Sequence, residues 1–265
     1  MSLIAAVIAT ALCAFVYVRM YKRELPEPIG KKKAVIPLAF GFAAIVLSIL
    51  LLVASGVLAR ALTGGEALFS ADGSPAGLVF RSLLHSFLLA GFTEELAKFL
   101  LFLLVLKIVK PANVYEYGLL CAGVGLGFTA GEEFLYAGNG LVVMVIRICF
   151  FAMHLLFGLL MGTHLGLARF CRQEKRGDAG KHVFLALFLP VLWHTVFDAA
   201  TTANAALDAT EESVQIGGAI VALAVMLGSV VLQYVLLLRF KRQTEAYCAM
   251  TFRSEELPAE PVTEM

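Results

Sequence analysis

The sequence contains few charged residues. Asp, Glu, Lys and Arg make up 15% of the 265 residues, whereas about 25% is usual for a soluble domain. Apolar residues account for 60%, and mean hydropathy is +0.86. The net charge is only +1 at pH 7, so the overall charge indicates no nucleic-acid partner. This composition excludes an ordinary soluble domain and predicts an integral membrane protein.

Several common catalytic and metal-binding signatures are also absent. The five cysteines form no Cys-x-x-Cys pair, so neither a disulfide framework nor a thiolate zinc site is indicated. The sequence has no Gly-x-Ser-x-Gly turn for a serine nucleophile and no His-Glu-x-x-His zinc motif. Any chemistry must therefore come from side chains on separate segments.

Seven apolar stretches predict an all-α, polytopic membrane protein. They cover about 2–18, 34–59, 78–106, 115–137, 141–169, 182–203 and 214–238. Lys and Arg cluster in alternate connections, at 19–33, 107–110, 169–181 and 239–242. Because basic connections stay in the cytoplasm, we expect an external N-terminus and a cytoplasmic C-terminus.

The spans indicate one transmembrane domain over 1–245, with a catalytic core at 78–203. A polar segment, 246–265, follows and is predicted to be a disordered cytoplasmic tail. The connection at 60–77 contains Gly, Ser and Pro and is predicted to be a polar loop. Glycines repeat every fourth residue at 123–131 and at 158–166, a pattern that predicts close helix packing.

Ionisable residues lie inside four of the apolar stretches. A charge at bilayer depth costs roughly 2.5–3.5 kcal/mol on insertion scales, so several such residues together predict a shared polar site. The residues are Glu94, Glu95, Lys98, Glu132, Glu133, His154, His194 and Asp198. Their positions along the spans predict a site between the midplane and the outer leaflet.

Helical spacing groups these residues further. Residues four apart share a helix face, which pairs Glu94 with Lys98 and His194 with Asp198. A His–Asp pair is typical of metal and acid–base sites, because the carboxylate fixes the imidazole tautomer.

This set of residues leaves two water-activating schemes open, and both lead to peptide hydrolysis in the membrane. In one, His154, His194 and carboxylates bind a divalent metal while a remaining Glu acts as base. In the other, a buried Glu activates water directly, without a metal.

Two further functional classes stay open. A proton- or ion-coupled carrier could use the same acids, although no inverted repeat or pair of broken helices is visible in the sequence. A non-catalytic membrane scaffold would use them for packing only.

The four polar motifs resemble those of the PrsW family of intramembrane proteases, which is distantly related to the CAAX prenyl protease and bacteriocin-processing group. The matching residues span 94–198 and comprise Glu94-Glu95-x-x-Lys98, Phe128-x-x-x-Glu132 with Tyr136, His154-x-x-x-Gly158 and His194-x-x-x-Asp198. The flanking spans and the tail contribute nothing to the match.

The resemblance implies a multi-pass protease of the bacterial plasma membrane. Its substrate would be a single-pass membrane protein such as an anti-sigma factor, cut on the outer side. Glu95 would be the base that activates water, paired with Glu94 and tuned by Lys98. Phe128 and Tyr136 would contact the substrate.

The same resemblance bears on the metal. Glu132 and Asp198 stand where the prenyl protease group has His and Asn. These extra acids favour a divalent metal such as zinc, held by His154, His194, Glu132 and Asp198.

Overall fold

The computed structural model describes residues 2–25, 28–63, 74–138 and 140–253, and their architecture is all-α, as predicted. The α-helices of these ranges are α1 (Ser2–Tyr21), α2 (Lys31–Thr63), α3 (Pro75–Ser86), α4 (Phe92–Val109), α5 (Val114–Tyr136), α6 (Leu141–Cys149), α7 (Met153–Glu174), α8 (Ala179–Thr201), α9 (Glu212–Arg242) and α10 (Thr244–Ala249). A π-helical turn, Phe87–Gly91, joins α3 to α4, and a 3-10 turn, Ala205–Asp208, precedes α9.

Several of these helices suit a membrane. Within the described ranges, five helical segments are long and apolar enough to cross a bilayer. They are Leu3–Tyr21, Lys31–Val57, Ile146–Glu174, Ala179–Asp208 and Glu212–Arg242. The other two predicted spans, 78–106 and 115–137, coincide with α3–α4 and α5, and the charged residues of their polar motifs are buried or partly buried inside the protein. The protein is therefore a multi-pass membrane protein, while seven crossings and their orientation stay predictions.

Helix α5 lies at the centre of the fold. Every residue from 114 to 129 is buried, because α1 and α2 cover one side of the helix and α7 covers another. Asn113 caps its first turn by accepting a hydrogen bond from the backbone N–H of Glu116. The Glu116 carboxylate in turn accepts from the N–H of Ala112 at 2.7 Å.

Glycines allow α5 to approach its neighbours closely. A Cβ atom at Gly158 would lie 2.2 Å from the carbonyl oxygen of Cys121, and one at Gly127 would lie 2.0 Å from that of Leu38. The Gly158 stripe therefore packs α7 on α5, and the Gly127 stripe packs α5 on α2. This agrees with the close packing predicted from the glycine repeats.

Two of the helical segments are interrupted near the polar motifs, although the sequence showed no pair of broken helices. The π turn ends at Gly91, where an added Cβ would lie 2.2 Å from the Thr195 hydroxyl of α8. Residues 150–152 form turns between α6 and α7. That second interruption contains neither Gly nor Pro, so composition gave no signal for it. Such irregular backbone is frequent at functional sites.

The described part of the C-terminal segment lies against the helices. Residues 244–253 contact the ends of α5 and α7, where Phe252 places an apolar ring. The Phe252 ring centre lies 5.2 Å from that of Tyr117, and the backbone N–H of Phe252 donates to Ala112 O at 2.8 Å. Residues 254–265 lie outside the described residues, as does most of the predicted 60–77 loop, at 64–73.

Candidate active site

The polar motifs surround one cavity of about 610 Å³. Its wall includes side chains from α2, α4 to α9 and the π turn. The ionisable and tyrosine residues that line it are Glu94, Glu132, Glu133, Tyr136, Arg147, His154, His194 and Asp198. The cavity is therefore a polar site, suited to holding water, that largely apolar helices enclose.

Glu95 and Lys98 form a buried ion pair behind the cavity wall. Lys98 Nζ donates to Glu95 Oε1 at 2.7 Å, and the two side chains are 1% and 0% exposed. The ammonium also lies 3.8 Å from the centre of the Phe128 ring, a cation–π contact. The i, i+3 spacing on α4 brings the acid and the base together.

This ion pair contacts both histidines that line the cavity. His194 Nδ1 lies 2.9 Å from Glu95 Oε1. Since the carboxylate can only accept, Nδ1 carries a proton, and in the neutral imidazole the lone pair is then on Nε2, which faces the cavity. On the other side, Lys98 Nζ lies 2.9 Å from His154 Nδ1. An ammonium only donates, so Nδ1 of His154 accepts and its Nε2 carries the proton.

His154 continues the network towards α5 and α6. Its Nε2 donates to Glu132 Oε2 over 2.6 Å. The same oxygen lies 3.1 Å from Arg147 Nη2, and Arg147 also contacts Glu133 Oε1 at 3.0 Å. The site is thus a continuous series of charge-assisted hydrogen bonds and ion pairs across α4, α5, α6, α7 and α8.

Glu94 and Asp198 face the cavity from opposite helices. Asp198 Oδ2 lies 3.6 Å from His194 Nε2. Glu94 Oε2 lies 3.9 Å from the same nitrogen and 3.6 Å from Lys98 Nζ. Both distances exceed a hydrogen bond, and this buried oxygen has no hydrogen-bond partner among the described residues. A buried unpaired carboxylate oxygen is costly and indicates a missing partner.

The donors around the cavity fit a divalent metal ion. Glu94, His154 and His194 each have a potential ligand atom, and these atoms lie within 4.8 Å of one another. Both nitrogens of His154 are engaged in the hydrogen bonds described above, so His154 would bind a metal only by giving up its contact with Lys98 or with Glu132. Two imidazoles and a carboxylate are a common ligand set for catalytic zinc. Of the four ligands predicted from sequence, the two histidines belong to this group, whereas Glu132 and Asp198 do not.

Charge balance supports a cation as well. Five carboxylates and two basic side chains meet here, which would leave three negative charges if all the carboxylates were ionised and the imidazoles neutral. They are Glu94, Glu95, Glu132, Glu133 and Asp198 with Lys98 and Arg147. Burying unbalanced charge is unfavourable, so a divalent ion would reduce the repulsion.

The structure brings all seven predicted catalytic residues into this one site. Glu95 and Lys98 lie behind the wall of the cavity rather than on it. Of the two residues predicted to contact substrate, Tyr136 lines the cavity, whereas Phe128 is 2% exposed and packs on Lys98 and His154.

Sequence reasoning missed Arg147 as part of the site. The residue lies within the apolar stretch 141–169, so the rule that singled out the acids applied equally to it. Its neighbours on α6 carry no other charge, and no helical pairing drew attention to it.

Together, the fold and the site define a multi-pass helical membrane protein with a carboxylate–imidazole centre enclosed by its helices. A family model described as PrsW family intramembrane metalloprotease matches residues 31–242. The chain belongs to this PrsW family, which confirms the resemblance carried by the motifs.

Curated relatives agree over the central part of the chain. Protease PrsW of Halalkalibacterium halodurans is 33% identical over 126 residues, which cover 46% of this chain and 57% of the relative. Protease PrsW of Bacillus subtilis is 35% identical over 127 residues, covering 46% and 56%. The chain spans just over half the length of the curated relatives it matches. No solved structure matches it significantly.

Proposed function

We propose that this protein is a membrane-embedded peptidase that hydrolyses a peptide bond of a single-pass membrane protein. One observation carries the proposal: Glu94 points a buried, unpartnered carboxylate oxygen into a cavity shared with His154 and His194. Membership of the PrsW family supports the same reaction. The substrate class, including anti-sigma factors cut on the outer side, follows from the family resemblance and the predicted orientation.

Glu94 and His194 would hold a divalent metal together with His154, which would use Nδ1 once Lys98 released that nitrogen and would keep Glu132 on Nε2. A bound metal supplies a Lewis acid that polarises the scissile carbonyl and acidifies water. The protein's own groups orient these ligands: Glu95 fixes the tautomer of His194 through Nδ1, and Lys98 balances the Glu95 charge. Carboxylates behind metal-binding histidines commonly have this role.

Asp198 is the carboxylate best situated to accept a proton from the attacking water. Its side chain is 20% exposed to the cavity and lies beside His194 Nε2. Glu132 is already engaged by His154 and Arg147. This assignment differs from the base predicted from sequence, Glu95, which has no direct access to the cavity.

The assignment is tested by comparing conservative variants of the purified protein on a single-pass reporter substrate. Glu94→Gln and Asp198→Asn should lower cleavage to background. Glu95→Gln should lower it only about 10- to 100-fold, because the Gln carbonyl still accepts from His194. Glu212→Gln, an exposed carboxyl at the start of α9, is the matched control and should cleave normally. Equal, complete loss in Glu95→Gln would favour Glu95 as the base.

A carrier is the second candidate, because two interrupted helices flank the intramembrane acids. Proteoliposomes separate the two functions. Substrate-coupled proton flux without cleavage would support the carrier, whereas chelator-sensitive cleavage without flux would support the peptidase.

A further inference from the structure

Arg147 is the one permanent cation on the described part of the cavity wall. It lies on α6, is 24% exposed, and reaches two adjacent acids of α5. Its Nη2 contacts Glu132 Oε2 at 3.1 Å and Glu133 Oε1 at 3.0 Å, and its Nε donates to Glu133 Oε1 at 3.0 Å.

The guanidinium is held in a defined orientation. Its central carbon lies 4.4 Å from the centre of the Tyr136 ring, and arginine stacks on aromatic faces through its planar group. The Glu133 side chain is only 4% exposed and provides two of the three polar contacts. Glu133 and Tyr136 together therefore fix the orientation of the Arg147 guanidinium, and in that orientation Nη2 also reaches Glu132.

Glu132 depends on this contact because one oxygen serves two partners. Glu132 Oε2 accepts a hydrogen bond from His154 Nε2 at 2.6 Å and forms an ion pair with Arg147 Nη2 at 3.1 Å. Without the guanidinium, Glu132 and Glu133 would be neighbouring buried acids with no opposing charge from α6. Like charges at this depth repel strongly, and the Glu132 side chain would turn away from His154.

We infer that Arg147 is a positioning residue that holds Glu132 against the Nε2 side of His154, with Glu133 as its anchor. The inference rests on the proposed peptidase function and deepens it. Arginine suits this role better than lysine, because its planar fork can contact both carboxylates while it stacks on Tyr136.

The test compares Arg147→Gln and Arg147→Lys with the wild type on the reporter substrate. Arg147→Gln should lower kcat about 10- to 100-fold, as is usual when an orienting partner is lost, with KM changed less than about threefold. Arg147→Lys retains the charge and should recover part of kcat. Arg169→Gln is the matched control, since this partly buried arginine stacks on a tyrosine away from the cavity.

Glu133→Gln tests the anchor. It should lower kcat less than Arg147→Gln does, and combining the two should add little further loss, because both act through Glu132. Unchanged kcat in Arg147→Gln would overturn the inference. A raised KM with normal kcat would overturn it too, since Arg147 would then bind substrate.

A measurement independent of cleavage keeps the inference separate from the proposed function. The nitrogen NMR shifts of the His154 imidazole report its hydrogen bond at Nε2. They should change in Arg147→Gln and stay unchanged in Arg169→Gln. If the wild type cleaves nothing, the peptidase proposal fails, while an Arg147-dependent His154 shift still supports the positioning role. An unchanged shift would refute it.

Discussion

Replacing Glu95 by Gln should destabilise the protein by breaking its most deeply buried ion pair. The pair joins Lys98 Nζ to Glu95 Oε1 at 2.7 Å, and neither side chain is more than 1% exposed. Gln preserves the shape but removes the negative charge. Lys98 would then remain as a buried ammonium without its nearest counter-charge.

The expected size of the effect follows from what Lys98 retains. Removing one partner of a buried ion pair costs about 3–5 kcal/mol. Lys98 would still lie 3.6 Å from Glu94 Oε2 and 3.8 Å from the Phe128 ring centre, which partly compensate its charge. We therefore expect a loss near the lower limit, about 3 kcal/mol.

The assay is reversible unfolding in detergent, with a double-mutant cycle that includes Lys98→Met. The double variant removes both charges, so its loss should be smaller than the sum of the single losses by about 1–3 kcal/mol. Glu94→Gln serves as comparison in metal-free protein, because its Oε2 has no hydrogen bond to lose, and there it should change stability little. Unaltered stability in Glu95→Gln, or additive losses in the double variant, would refute the ion pair as a stabilising unit.

Three further predictions concern packing, metal and pH. Gly125→Ala should lower the free energy of unfolding by about 1–3 kcal/mol, because its Cβ would lie 2.0 Å from His154 O. Gly228→Ala should be neutral in the same unfolding assay, since a Cβ there would meet no atom within 4 Å. Removal of metal by a chelator should abolish cleavage and lower the unfolding temperature, and added zinc should restore both. Cleavage that survives complete metal removal, verified by elemental analysis, would favour the metal-free scheme. Outside the spans, burial raises the pKa of Glu24 from 4.5 to about 8. Between these pH values the Glu24 carboxyl holds its proton in the folded state and has lost it in the unfolded state. The free energy of unfolding should therefore fall as pH rises from about 4.5 to about 8. Glu24→Gln should flatten that part of the stability profile, and an unchanged slope would show that other groups cause it.

Much of the candidate site could be predicted from the sequence because charge inside an apolar stretch is costly and therefore conspicuous. Glu94, Glu132, His154, His194 and Asp198 were all found this way, and each lines the cavity. Helical spacing alone also paired His194 with Asp198. The same rule applied to Arg147, but an isolated cation on a short helix offered no pattern to interpret.

The orientation of neighbouring acids could not be predicted in the same way. Consecutive helix residues point about 100° apart, so Glu94 and Glu95 must face different surroundings. Which of them faces the cavity depends on the rotation of α4 about its axis, and packing against α2, α8 and the π turn fixes that rotation. The sequence therefore identified the pair without assigning the two roles.

By itself, the sequence determined the membrane class, the all-α fold, the family and the set of ionisable residues, since these depend on composition and on spacing along one chain. The tertiary structure alone decided that Lys98 lies between Glu95 and His154, that Arg147 contacts Glu132, and that Phe252 returns to α5. These contacts join residues far apart in the chain. They depend on how closely α5, α7 and α8 approach one another, and interhelical distance is a property of packed surfaces rather than of any single segment.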